Sequence, residues 1–244
     1  MLTKNINNLS GINNDEMALS EHIEEFSQRF IFSLIVLGIA IIGCFTQIKT
    51  IVKLFQAPAM GIKFLQFAPG EYFFASIKIA TFSGILISCP IIIYQILLYI
   101  LPGTTKKERD ILLPMLVSSG FLFLIGLGFS YFFLVPAALN FFIMYGSDVV
   151  EPFWSFDQYF DFIAILLFST GLSFQVPIIQ LILGLLGIIS GKRMLSAWKY
   201  VVVLSTAIAA VITPSTDPIT QLLMSGALLA LYLSGSGILL LLKK

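Results

Sequence analysis

Charged side chains are scarce in this 244-residue sequence: Asp, Glu, Lys and Arg make up only 11% of it, against 58% hydrophobic residues. A soluble domain of this length carries roughly 25% charged residues. The mean hydropathy of +0.97 agrees with that deficit. An ordinary water-soluble domain is therefore excluded, because most side chains must face hydrocarbon. The sequence predicts a polytopic membrane protein.

Basic excess, histidine and cysteine are also in short supply. The formal net charge of +1 gives no indication of a clustered basic face. We therefore do not expect nucleic acid as a partner. His22 is the single histidine, which argues against a multi-histidine metal centre or a histidine-dependent acid–base site. We expect no metal and no other cofactor. Cys44 and Cys89 lie in apolar runs, where free buried thiols are expected ahead of a disulfide.

Six apolar stretches are present that can form membrane-spanning helices. A helix needs about 20 apolar residues to cross ~30 Å of hydrocarbon. The fifth stretch has only ~15 residues, which predicts a thinned bilayer beside it or burial among its neighbours. The sequence thus predicts an all-α bundle of six transmembrane helices in one domain, 1–244. The predicted spans are 30–48, 73–100, 111–140, 157–187, 198–212 and 219–241.

Basic residues set the orientation of these spans. With the N-terminus on the cytoplasmic (cis) side, ten of the 14 Lys and Arg residues fall on that side and four on the opposite (trans) side. The predicted trans loops 141–156 and 213–218 contain neither Lys nor Arg. The positive-inside rule therefore places both termini on the cis side, which requires an even number of spans.

Two segments outside the spans have a distinct character. Residues 1–27 are polar and acidic, without the basic start and apolar core of a cleavable signal peptide, so we expect a cis-side N-terminal segment. Segment 49–72 alternates apolar residues with Lys and is interrupted by Pro58 and Pro69. It predicts a trans-side cap on the membrane surface, because it is too interrupted to span.

Two carboxylates near the predicted cis surface are candidates for function. Glu25, just before the first span, is either the partner of Arg29 in an i,i+4 pair or an acceptor for an external guanidinium. Glu108, between the second and third spans, is either one of several solvated charges or a second acceptor. Together they offer the geometry that binds guanidinium groups bidentately.

Three polar residues in or beside the later spans are further candidates. Gln175 stands in the apolar fourth span two residues before Pro177, which predicts a bend there. It serves either an interhelical hydrogen bond or a polar spot in a groove. Asp217, followed by Pro218, predicts the N-cap of the last helix. Gln221 follows one turn later, just inside the trans interface.

Five short motifs occur in an order that resembles the TatC family of twin-arginine protein translocases. The resemblance extends from about residue 20 to residue 240, and the third motif is the most specific. Three features depart from the family pattern: Ser27 replaces a usual basic residue, Gln175 replaces a usual acidic one, and the last motif is one residue longer. The five motifs are HIEEFSQRF, EYFFASIKIA, LPGTTKKERD, LSFQVPIIQ and TPSTDPITQ.

The resemblance implies a glove-shaped bundle that is a transport component and not an enzyme. It implies binding of the twin-arginine signal peptides of folded precursor proteins, with Glu25, Glu108 and Arg109 at the binding site. It also implies that the chain nucleates a translocon whose export is driven by the proton-motive force, without nucleotide.

The resemblance further implies partners within the bilayer. TatA- and TatB-like single-span subunits are expected to dock near the fifth and sixth helices, within a complex that contains several copies of this chain. Gln175, Asp217 and Gln221 are the expected intramembrane or partner-contact residues.

Two other functions remain open on the residues alone. A small-solute or ion transporter would need more polar residues at mid-membrane depth than this chain contains. An intramembrane enzyme would need a nucleophile–base set or a metal cluster, and no convincing one is present. Frequent Ile, Phe, Lys and Asn favour a plastid genome and the thylakoid membrane, with a bacterial or cyanobacterial cytoplasmic membrane as the alternative.

Overall fold

A computed structural model describes residues 19–59, 62–100, 106–146, 153–213 and 217–242. Apart from two short strands, these ranges are largely helical. The helices are α1 (Leu19–Thr46), α2 (Ile48–Gln56), α3 (Glu71–Ile100), α4 (Lys106–Phe129), α5 (Val135–Gly146), α6 (Phe156–Ser173), α7 (Val176–Leu185), α8 (Gly191–Ser196), α9 (Trp198–Ile212) and α10 (Pro218–Leu241). The strands are β1 (Lys63–Leu65) and β2 (Phe153–Ser155).

Among the described residues, five helical segments are long and apolar enough to cross a bilayer. A sixth apolar helix, α9, has 15 residues and is ~22 Å long. The prediction of an all-α bundle with six transmembrane helices is confirmed, including the short fifth helix. The five longer segments are Ile23–Thr46, Glu71–Tyr99, Pro114–Tyr145, Phe156–Leu185 and Pro218–Leu241.

The first span packs against the rest of the bundle mainly through α3. At Gly84 the two helices come so close that a Cβ there would lie 2.9 Å from backbone atoms of Ile41. The outer face of α1 is left to lipid, since Ile39 and Ile42 are 66% and 68% exposed. The α1–α3 pair therefore lies at the edge of the bundle, and the outer surface of α1 faces hydrocarbon.

The core lies between α3, α4, α6 and α10, where apolar side chains from four spans meet. Large side chains with almost no accessible surface mark its centre. They are Phe123, Leu134, Ile163, Leu166 and Met224.

Two of the predicted spans contain breaks in regular α-helix. The fourth span is divided into α6 and α7 at Phe174 and Gln175, as the proline predicted: Pro177 lies in the first turn of α7 and has no N–H to continue the ladder. The third span consists of α4 and α5 joined by a π-helical turn, Ser130–Leu134, which the sequence did not predict. Such turns insert one extra residue into a helix and rotate the side chains that follow.

Segments on the predicted trans side form a small structured cap. β1, from the loop between the first and second spans, pairs in parallel with β2, from the loop between the third and fourth. Lys63 lies opposite Phe153, and Leu65 lies opposite Ser155. The sequence did not predict this pairing, which joins segments ninety residues apart.

Part of the cap is also anchored in the bundle. Val52 and Phe55 of α2 are buried, so α2 packs onto the core rather than resting only on the membrane surface. The hydroxyl of Tyr159 on α6 donates to the carbonyl oxygen of Phe55 at 2.6 Å, and that of Tyr131 donates to the carbonyl oxygen of Leu54 at 2.7 Å. These bonds bring side-chain donors to carbonyl groups in the last turn of α2, where backbone donors become scarce; the Leu54 carbonyl also accepts from the backbone N–H of Ala57.

Candidate functional site

The start of α1 and the end of α3 meet at the predicted cis end, where three polar side chains form a chain of hydrogen bonds. Arg29 donates from Nε and Nη2 to Oε1 of Glu25, at 3.0 and 2.5 Å. Its Nη1 donates to Oε1 of Gln95 on α3, at 3.2 Å. Glu25 and Arg29 are only 25% and 26% exposed. The ion pair that the spacing allowed is therefore present, whereas the role of Gln95 was not predicted.

An apolar groove of 490 Å³ opens between α1 and α3 next to this ion pair. The stem of Arg29 and the side chain of Gln95 line its polar end. The rings of Phe26 and Tyr99 meet at 5.3 Å between the two helices. Apart from Ser33 the remaining lining is hydrophobic, so the groove joins a charged end to a hydrocarbon surface.

Glu108 and Arg109 fall in the first turn of α4, at the same end of the bundle as Glu25 because α1, α3 and α4 alternate in direction. The backbone is described there, but both side chains lie outside the described part of the chain. Their contacts therefore stay predictions.

Gln175 lies at the junction of α6 and α7 and is buried, with 7% exposure. Its Nε2 donates to the carbonyl oxygen of Ser119 on α4, at 3.1 Å. Its Oε1 accepts no hydrogen bond from the described residues. Of the two interpretations of this residue, the interhelical hydrogen bond is thus present.

The predicted trans end of α10 is held by Asp217, which is fully buried. Its Oδ2 accepts from the backbone N–H of Thr220 at 3.0 Å, and its Oδ1 accepts from the Thr220 hydroxyl. The predicted N-cap is confirmed. Gln221, one turn on, donates from Nε2 to the carbonyl oxygen of Thr206 on α9, at 3.4 Å.

The predicted site residues do not converge on one place. Glu25 lies at the cis end, Gln175 lies inside the bundle, and Asp217 and Gln221 lie at the opposite end of the spans. This separation suits a protein that presents several surfaces better than one with a single reaction centre.

A group of charges inside the spans was missed from the sequence. Lys78 on α3 donates to both carboxylate oxygens of Asp157 on α6, at 2.8 and 2.9 Å, and to Oδ2 of Asp161 at 3.0 Å. The side chains are 35% to 41% exposed. The available signal was a lone Lys in one apolar span and two Asp residues four apart in another.

The model of the family described as Sec-independent protein translocase protein (TatC) matches residues 21–226. That is most of the chain. This chain belongs to the TatC family.

Individual relatives agree with the family assignment. A tatC-like protein of Guillardia theta is 62% identical over 225 residues, covering 92% of this chain and 78% of the relative. The Sec-independent protein translocase protein TatC of Synechocystis sp. is 49% identical over 229 residues, covering 94% and 90%. The chloroplastic TATC of Pisum sativum is 52% identical over 223 residues, covering 91% of this chain and 63% of the relative.

A solved structure shares the fold. The crystal structure of a twin-arginine translocase receptor, TatC, superposes with a TM-score of 0.77 at 30% identity, covering 91% of this chain and 100% of that one. The present chain is thus an integral membrane subunit of the Sec-independent protein translocase, of a thylakoid or cyanobacterial membrane. Transport of protein, rather than of small solutes or ions, is the function of its family.

Proposed function

We propose that this TatC-family chain binds the twin-arginine signal peptides of precursor proteins at the cis ends of α1, α3 and α4. Glu25 and Glu108 would receive the two guanidinium groups, with Arg109 beside them. The observation that carries the proposal is that the Glu25 carboxylate already holds a guanidinium, that of Arg29. The site is therefore chemically suited to the ligand that the family resemblance implies.

Discrimination between arginine and lysine follows from the chemistry of these acceptors. A guanidinium is planar and presents several N–H groups in a fixed fork, whereas an ammonium is a compact, strongly hydrated point charge. A half-buried carboxylate such as Glu25 gains more from the fork, because each charge-assisted bond replaces water that is already partly excluded. Two carboxylates at one end of the bundle would then favour a pair of arginines.

The lipid-facing surface of α9 and α10 supports a second part of the proposal, the docking of TatA- and TatB-like single-span subunits. Val211 and Leu222 are 86% and 68% exposed, and Gln221 lies between these helices with only a long hydrogen bond. Gln175 and Asp217 are buried, so we propose that they act on partners by holding α7 and α10 in place.

These contacts would let the chain nucleate a complex that contains several copies of it. Each copy would act as a single domain, 1–244. The complex would use the proton-motive force for export. The precursor meets the cis surface first and the single-span subunits meet the bundle within the bilayer. Binding and assembly would thus occupy different surfaces.

Binding of a fluorescent twin-arginine signal peptide to the protein in lipid nanodiscs tests the proposal, with the twin-lysine peptide as the ligand control. Glu108→Gln keeps the side-chain shape but removes the charge. It should weaken twin-arginine binding by roughly tenfold, because a charge-assisted bond contributes ~1.5–3 kcal/mol. Glu24→Gln, which changes an exposed carboxylate next to Glu25, is the matched control and should bind as the wild type does.

Two results would overturn the proposal. One is equal affinity of the wild type for the twin-arginine and twin-lysine peptides. The other is unchanged affinity for the twin-arginine peptide in both Glu108→Gln and Glu25→Gln, provided that each variant inserts into the membrane and elutes from a size-exclusion column as the wild type does.

A further inference from the structure

We infer that Arg29 is an internal competitor for the signal peptide, occupying at rest the carboxylate that a peptide arginine takes when it binds. This inference rests on the proposed function and deepens it, because it names the residue that sets the threshold for binding. Its basis is the arrangement of three side chains, Glu25, Arg29 and Gln95, at the cis end of α1 and α3.

Arg29 makes with Glu25 the kind of charge-assisted hydrogen bonds that a peptide arginine would make. Arg29 reaches back one helical turn and donates two N–H groups, from Nε and Nη2, to a single oxygen of Glu25. The other oxygen, Oε2, accepts no hydrogen bond from the described residues. A peptide guanidinium that approaches Glu25 therefore meets a carboxylate whose charge is already neutralised, and it must displace Arg29 or share the carboxylate with it.

Gln95 gives Arg29 a second partner that does not depend on Glu25. Its Oε1 accepts from Nη1 of Arg29 at 3.2 Å, on the side of the guanidinium that faces away from Glu25. When the bonds to Glu25 are lost, this bond across α1 and α3 can persist. The cost of displacement is lower for that reason, since a charged group that is only 26% exposed keeps a hydrogen-bonding partner.

The groove between α1 and α3 makes the exchange local. Arg29 and Gln95 both line it, together with apolar residues of the two helices. Displaced towards Gln95, the Arg29 stem stays along hydrocarbon surface while its charged head stays at the cis end, as long basic side chains do at membrane interfaces. Because Gln95 already lies within hydrogen-bond distance of Arg29, we expect the exchange to proceed by a change of side-chain torsions.

The consequence is a threshold that applies to every cationic ligand. Displacing Arg29 costs the same whichever peptide arrives, so it lowers the affinity for all of them by one factor. Ligands with a single basic residue fall below useful affinity, whereas a twin-arginine peptide, with two guanidinium groups and two acceptors, remains above it. The ratio between arginine and lysine peptides is set by the acceptors and not by Arg29.

The same nanodisc binding assay tests the inference with Arg29→Gln, which removes the competing charge but keeps a long polar side chain. Affinity for the twin-arginine peptide should rise, by roughly threefold to tenfold, because Glu25 becomes free to bind. Affinity for the twin-lysine peptide should rise by a similar factor. Arg29→Lys, which keeps the charge and loses the fork, should give a smaller rise and guards against a folding defect in the first variant.

Gln95→Leu isolates the alternative partner. In the wild-type background it should weaken peptide binding by about twofold to fivefold, because displaced Arg29 then has no acceptor. In the Arg29→Gln background it should have no effect, and this non-additivity is the signature of the exchange.

The outcomes separate the inference from the proposed function. The inference is overturned if Arg29→Gln and Arg29→Lys both lower the affinity or leave it unchanged, while the wild type prefers arginine peptides and Glu25→Gln loses affinity. In that case Arg29 only positions Glu25. If the wild type shows no preference for arginine peptides, the proposed function itself fails. A rise for both peptides at an unchanged ratio supports the inference.

Discussion

At the scale of single residues, Gln175 shows how one side chain departs from its family pattern with a visible structural reason. It stands where the TatC resemblance leads one to expect an acidic residue. Its amide donates a hydrogen bond to the carbonyl oxygen of Ser119, which an ionised carboxylate has no proton to do. An amide also cannot titrate, so we expect no proton-carrying role for this position in the present chain.

Replacing Gln175 by Met keeps the length of the side chain and removes the donor. The free energy of unfolding should fall by about 0.6–2 kcal/mol, the usual range for a hydrogen bond between transmembrane helices. The buried cysteines Cys44 and Cys89 report unfolding when a thiol-reactive fluorophore is present during heating. Gln28→Met, on the exposed surface of α1, is the matched control. Equal melting temperatures for the two variants would show that the bond to Ser119 contributes nothing.

At the scale of secondary-structure elements, the charged group formed by Lys78, Asp157 and Asp161 links α3 to α6. Lys78 lies seven residues into α3, ~10 Å along the helix from its start. Asp157 and Asp161 are one turn apart on α6 and face the same ammonium group. Charged residues at that depth are costly unless they are paired, so the group restrains how the two helices can slide or rotate.

The charge balance of this group predicts an order of stabilities. Lys78→Met leaves two carboxylates without their cation and should lower the free energy of unfolding by about 1–3 kcal/mol, less than for a fully buried pair because the side chains are partly exposed. Asp161→Asn leaves one Lys and one Asp and should be nearly neutral. Lys53→Met changes an exposed Lys of α2 and is the control. The reaction of the buried cysteines with a thiol-reactive fluorophore during heating measures the stability of all three variants. A greater loss of stability in Asp161→Asn than in Lys78→Met would contradict the charge argument.

At the scale of the whole molecule, the trans-side cap formed by β1 and β2 supports the predicted membrane topology independently of the basic residues. β1 and β2 belong to loops after the first and third spans, and they can pair only if both loops lie on the same side of the membrane. An odd number of spans before each loop places both opposite the start of α1. The short helix α9 crosses between α8 and the start of α10, which suits a locally thinned bilayer.

Labelling of introduced cysteines with a membrane-impermeant reagent tests the orientation. Val149→Cys, in the predicted trans loop outside the described residues, should react only from the trans side. Ser196→Cys, exposed at the end of α8, should react only from the cis side. The native cysteines are 3% and 6% exposed and should give little background in the folded protein. The reverse pattern would show that the orientation derived from basic residues is wrong.

Hydropathy and spacing along the chain were enough to determine four features. They are the six spans, the short length of the fifth span (α9), the break before Pro177 and the helix N-cap at Asp217. Each of these depends on residues within a few positions of one another, since helix length, proline and N-capping act locally. The order of motifs was likewise enough for the family. The Glu25–Arg29 pair was one of two interpretations, because i,i+4 spacing permits a bond without requiring it.

Only the tertiary structure decided which residues from different spans meet. Gln95 accepts a hydrogen bond from Arg29, Lys78 donates to two carboxylates, Gln175 donates to the Ser119 carbonyl, and two loops form a sheet. In a chain where nearly every helix is apolar on all sides, hydropathy carries little information about which face of a helix turns inward. Close packing of side chains between helices sets those rotations. The bond from Arg29 to Gln95 is therefore visible only once α1 and α3 are packed together.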